Sequence, residues 1–161
     1  MSRKLFAGVA LILMGICVMA GGWRLAGTAA VAAGGVPDWA AEVIRLHVVA
    51  NSDSDEDQAL KRDVRDAILA EVTPLFQAAQ SVADAEAAIV TASPRIEQVA
   101  AAVVRARGKS YPVRAVLGRF AFPAKSYGAF FLPAGDYKAL RVTIGSAEGA
   151  NWWCVLFPPL C

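Results

Sequence analysis

Residues 43–50 read VIRLHVVA, and residues 51–57 read NSDSDED. The first run is short and rich in β-branched side chains, which predicts a strand from Val43 to Ala50. Side chains alternate along a strand, so Arg45, His47 and Val49 share one face. Ile44, Leu46 and Val48 share the other, which is expected to be the buried one. The second run breaks the strand. Ser54 followed three residues later by Asp57 resembles a capping box, and the acidic residues around it suit a helix N-terminus. A helix is predicted from about Asp55 to Glu71, with Leu60, Val64, Ala67, Ile68 and Val72 on one face.

Working toward the C-terminus, Pro74 is expected to end or bend this helix. Ser81 with Asp84 predicts the start of a second helix, running through Thr91. Ser93-Pro94 reads as an N-cap with proline at the first helical position, opening a third helix that runs to about Arg107 with Gly108 as its cap. Strands are predicted over Val113 to Phe120, Lys138 to Ile144 and Trp153 to Phe157, separated by turn-rich segments at 122–128, 132–137 and 145–151. The expected fold is α+β, with three helices packed on one face of a largely antiparallel sheet of about four strands.

Working toward the N-terminus, Arg3 and Lys4 precede an uncharged stretch from Leu5 to Trp23, which Arg24 closes. A basic start followed by an apolar run is a signal peptide or a signal-anchor over residues 1–24, and the positive end predicts an outward-facing remainder. Cys17 falls inside this leader. Residues 25–36 are rich in Ala and Gly and read as a tether, which leaves 37–161 as the exported domain. The chain has 16 basic and 14 acidic residues, and three of the basic ones lie in the leader, leaving 13 against 14. A nearly neutral exported domain excludes nucleic-acid binding by bulk charge and has no polybasic tract for lipid headgroups. A hydrophobic fraction of 57% excludes a disordered chain.

The positions that could carry chemistry are few. Asn51, Asp53, Asp55 and Asp57 fall at alternate positions, as in an EF-hand loop, but Glu56 and Arg62 stand where that loop needs Gly and Glu. A charged helix cap is the better reading. His47, the only histidine, has no nucleophile elbow with it and no metal-ligand spacing around it. No catalytic residue, metal site or cofactor is therefore assigned. An exported hydrolase using His47 with nearby Asp residues stays open as a competing class. Cys154 and Cys161 are expected to pair, because the domain is exported and Pro158-Pro159 can turn the chain between them. Nine aromatic residues lie between Phe120 and Phe157. Adjacent Trp152 and Trp153 must point to opposite faces of a strand, and an exposed Trp beside Tyr127 would suit a protein partner. The export leader and the aromatics also fit a peptidoglycan-binding module.

Three segments, at 44–69, 122–149 and 151–161, resemble the stage II sporulation protein R family of endospore-forming bacteria. The strings ANSDS, LPAGDYKALRVTIG and NWWCVLFPPLC carry the resemblance. It implies an exported developmental signal, made in the forespore and released toward the mother cell. There it would activate a membrane-embedded aspartic protease that removes the pro-sequence of sigma-E, acting as trigger and not as protease. It also implies relatives that continue past the FPPLC segment. His47, Asn51, Asp53, Lys125, Tyr127, Asn151 and Trp152 are the polar or aromatic positions in these segments expected to form the partner surface.

Overall fold

The computed structural model describes residues 38–161, so the leader and the tether lie outside the described residues. A short 3-10 turn, Asp38–Glu42, leads into β1, Ile44–Val49. Two long helices follow, α1 (Asp55–Ala78) and α2 (Val82–Ala106), and then β2 (Val113–Phe122), β3 (Lys125–Tyr127), β4 (Phe130–Leu132), β5 (Gly135–Ile144) and β6 (Asn151–Phe157). The main sheet has the order β2-β5-β1-β6, and β3 and β4 form a separate hairpin.

There are two helices where three were expected, because proline interrupts neither. Pro94 lies inside α2. The buried stripe Ala85, Ile89, Ile96, Ala100 and Val104 runs through it at helical spacing, so breaking the helix there would break a continuous packing face. Pro74 is likewise accommodated in α1, whose stripe Leu60, Val64, Ile68, Val72 and Phe76 extends past it. Ring-edge packing of Phe76 on Phe157, at 6.0 Å between centroids, fixes that last turn to β6. The predicted starts hold in detail: Ser54 accepts from the Asp57 amide, and Ser81 from the Asp84 amide. Gly108, at φ +70°, closes α2 with the paired bonds Lys109 N–H to Val104 O and Gly108 N–H to Arg105 O of a Schellman motif.

The sheet is mixed and not largely antiparallel. β1 pairs with β5 in parallel, with His47 opposite Arg141, and with β6 antiparallel, with His47 opposite Trp153. The two departures have one cause. An even number of helical passes brings β2 back running against β1, and the antiparallel β2–β5 pair then turns β5 parallel to β1. Three helices would have reversed it. A further difference is the β3–β4 hairpin, whose first strand lies in the segment 122–128 expected to be a turn and whose second begins in the unassigned stretch 129–131.

One face of the sheet packs on the helices through Ile44, Leu46, Val48, Leu140, Val142, Ile144, Cys154 and Leu156. The other face was expected to meet solvent at β1, yet all six β1 residues are buried. The 3-10 turn and the hairpin cover this second face and form a smaller core of Ala40, Val43, Phe122, Leu132, Tyr137, Ala139 and Val155.

Cys154 and Cys161 are joined by a disulfide with the Cα atoms 5.2 Å apart. It pins the C-terminal turn beneath β6, where Leu160 N–H also donates to Val155 O. Closing so short a loop stabilises the fold by about 2.5 kcal/mol in the chain-entropy treatment. Cys161→Ser should therefore lower the urea-unfolding free energy by about that amount. Mild reduction should reproduce the loss in the wild type and leave the variant unchanged.

Candidate functional site

The site lies on the second sheet face, around Arg45 and His47. Strand alternation places both side chains there, between β5 and β6. Arg45 is fully buried, and among the described residues no acidic side chain is paired with it. Its guanidinium carbon sits 4.0 Å from the Phe122 ring centre and 4.7 Å from that of Tyr137. Nη2 donates to the Tyr127 hydroxyl at 2.7 Å, and that hydroxyl donates to Trp153 O at 3.2 Å. Nε and Nη1 have no partner. Aromatic faces thus supply much of the stabilisation that a carboxylate would give elsewhere, and cation–π attraction is strongest when the cation is desolvated.

His47 lies next along the same face, with its ring 5.7 Å from Phe122 and 5.9 Å from Trp153. Nε2 donates to Asn151 Oδ1 at 2.6 Å, while Nδ1 is buried without a partner. No carboxylate or hydroxyl bonds either ring nitrogen. Burial pushes the His47 pKa below its ordinary value; the Asn151 hydrogen bond opposes this, and Arg141 and Arg45 reinforce it by repulsion. At neutral pH the imidazole is therefore held uncharged beside two cations.

Asn151 is positioned by the loop that follows β1. Asp53 Oδ1 accepts from Ala150 N–H at 2.6 Å, and Lys61 Nζ donates to Ala150 O at 2.8 Å, so both sides of this residue are held. Asn51 Oδ1 accepts from Ser146 N–H at 3.0 Å, and its Nδ2 donates to Asp57 at 2.8 Å. Ser52 also donates to Asp57, and these two bonds hold the Asp57 carboxyl below the usual carboxylate range. Approach is close enough to require glycine. A Cβ on Gly149 would stand 2.2 Å from Ser52 O, and one on Gly145 would stand 2.1 Å from Asn51 Oδ1. Among the described residues no group of three His, Cys, Asp or Glu side chains could hold a metal.

The seven candidate positions therefore separate. His47, Tyr127 and Asn151 gather around Trp153, and Lys125 Nζ lies 5.7 Å from the Trp153 ring centre. Asn51 and Asp53 stand at one end of this face as the clamp that holds Asn151. Trp152 points to the helix side, under the Arg65 guanidinium at 4.1 Å. Trp153 is the tryptophan beside Tyr127. Arg45, Arg141 and Phe122 escaped sequence reasoning. The available signal was the alternation that put Arg45 beside His47, once both faces of β1 are taken as covered.

Two outcomes follow from this geometry. Tyr127→Phe removes the one side-chain hydrogen bond that Arg45 makes among the described residues and should cost about 2 kcal/mol in urea unfolding. In an Arg45→Met background the same change should cost well under half of that, because no charge is left to satisfy. The second outcome concerns pH. The folded protein binds its His47 proton less readily than the unfolded chain, whose value is 6.5. That contribution to stability is complete above 6.5 and is lost as pH falls through the interval down to the depressed folded value. Melting temperatures at pH 7.5 and 5.5 should show the decline in the wild type, and His47→Gln should flatten it.

The family model described as stage II sporulation protein R matches residues 40–161. Stage II sporulation protein R of Bacillus subtilis (strain 168) is 43% identical over 126 residues, covering 78% of this chain and 55% of that protein. The chain thus spans about half the length of this curated relative. No solved structure matches it. The family match takes in every strand and both helices of the fold together with the whole Arg45–His47 face, and the chain belongs to the stage II sporulation protein R family.

Proposed function

We propose that this protein is an exported sporulation signal that activates a membrane-bound aspartic protease of the mother cell, leading to removal of the pro-sequence of sigma-E. The observation that carries the reading is the family match across residues 40–161, which supports a role in sporulation. The basic and apolar leader at 1–24 supports export into the space between the forespore and mother-cell membranes. The protein acts there as a trigger. It contacts an active arrangement of the protease, such as an assembled dimer, better than the inactive one, and so shifts the population toward it. A domain held by a disulfide and a two-sided core suits this role, because a rigid surface loses little freedom on binding.

The test is reconstitution in a host that does not form spores. The full chain is co-expressed with the protease and pro-sigma-E, with and without residues 1–24. Cleavage that requires both the chain and its leader is the expected result. Failure of cleavage with folded, exported protein would overturn the reading. The aromatic residues Trp39, Phe130 and Phe131, which are exposed, would then favour a peptidoglycan-binding module, checked by co-sedimentation with isolated cell walls.

A further inference from the structure

Acidic side chains are concentrated in the helical layer of the described residues. The five ion pairs among the described residues all involve a helix or its immediate C-terminal turn, and none includes Arg45, Arg114, Lys125 or Arg141. Asp136 is the only acidic residue in the six strands, and alternation next to Tyr137 turns it to the helix side. Asp38 and Glu42, in the 3-10 turn, pair with none of these cations.

Where the hairpin stops covering the second face, β2 and β5 leave a groove of about 290 Å³ lined by Arg114, Val116, Phe120, Arg141 and Thr143. Val116 and Phe120 give it apolar surface, and Arg114 and Arg141 give it cationic groups. Val116, on the edge strand β2, is 53% exposed. The Arg141 guanidinium lies 5.5 Å from the Phe120 ring centre, with Nε buried and unpartnered. His47, opposite Arg141 in the sheet, is uncharged at neutral pH and supplies no counter-charge.

The geometry points to this groove as the docking site for an acidic peptide segment of a partner protein, with one or two carboxylates taken by Arg114 and Arg141 and an apolar side chain set against Val116 and Phe120. Planar guanidinium groups match carboxylates in two-point fashion, which fits a short acidic segment. A long polyanion fits poorly, since residues 25–161 carry 13 basic against 14 acidic side chains. The inference rests on the signalling reading only for the identity of the partner, which would be the outward-facing part of the protease.

The test places a photo-reactive benzophenone amino acid at Val116 of the full chain, in a sporulating bacterium deleted for its own family member. Cross-linked products are mapped by mass spectrometry, and pro-sigma-E cleavage is followed in the same cells. The expected result is a protein adduct within a few residues of Asp or Glu side chains. Its yield should fall at least tenfold in R114E/R141E while the melting temperature stays within a few degrees. R114E alone, at an exposed position, should lower the yield severalfold if the double variant fails to fold. An adduct to lipid, to glycan or to a segment without acidic residues would overturn the inference. So would no adduct, an unchanged yield, or, where cleavage depends on the chain, unchanged cleavage in the folded charge-reversed protein. An acidic adduct together with cleavage that never depends on the chain would instead remove the signalling reading and leave the docking site standing.

Discussion

The central position of β1 is the constraint on which the remaining structure depends. Its six residues are all buried, although one face carries Ile44, Leu46 and Val48 and the other carries Arg45 and His47 beside Val49. A sheet face that carries an arginine and a histidine cannot be buried against aliphatic helices without heavy desolvation cost. The chain covers that face with a different material, the aromatic rings of Phe122, Tyr127, Tyr137 and Trp153. Those rings accept a cation electrostatically and bring hydroxyl and carbonyl groups with them. The β3–β4 hairpin delivers the Tyr127 hydroxyl, so its local structure and the burial of Arg45 are one interaction seen from two sides.

The loop at Asn51–Ser54 ties the helical layer to this aromatic layer. Asp53 and Lys61 grip Ala150 from the N–H and C=O sides, and the next residue, Asn151, reaches His47. Side chains that cap α1 or sit in its first turns thereby set where β6 begins. The cost is crowding, met by glycine at 145 and 149, where a methyl group would overlap Asn51 or the Ser52 carbonyl. The residues most suggestive of a ligand site in sequence, the alternating acids, are thus occupied in holding two loops together.

Much of the helical half was legible. VIRLHVVA alternates as a strand should, and Ser54 and Ser81 announce their helices by the residue three places on. The count of helices was not legible, because Ser-Pro at 93–94 is an excellent helix start and tertiary packing of Ile89 and Ile96 on one stripe outweighs it. The parallel β1–β5 pair depends on that count and could not be read without it. The hairpin was hidden because its turn residues, Gly128 and the flanking prolines, dominate short strands of three residues. On the site, proximity of His47 to Asn151 and of Tyr127 to Trp153 is long-range pairing, which no local pattern encodes. Arg45 was passed over because an arginine on a strand is ordinarily solvated.

Burial also explains why the charges divide as they do. Acidic side chains serve the helices, at their N-termini and in ion pairs with neighbouring turns, where they stabilise the macrodipole and the helix surface. A carboxylate on the aromatic face would pair with Arg45 or Arg141 and satisfy it, yet none of the five ion pairs among the described residues includes either. Leaving Arg45 to aromatic rings keeps the cation without spending a carboxylate. Arg141 is half-buried beside the Phe120 ring, likewise without a carboxylate among the described residues. This face thereby carries Arg45, Arg114 and Arg141 on hydrogen-bonded strands and not on loops, so their positions follow from the register of β1, β2 and β5.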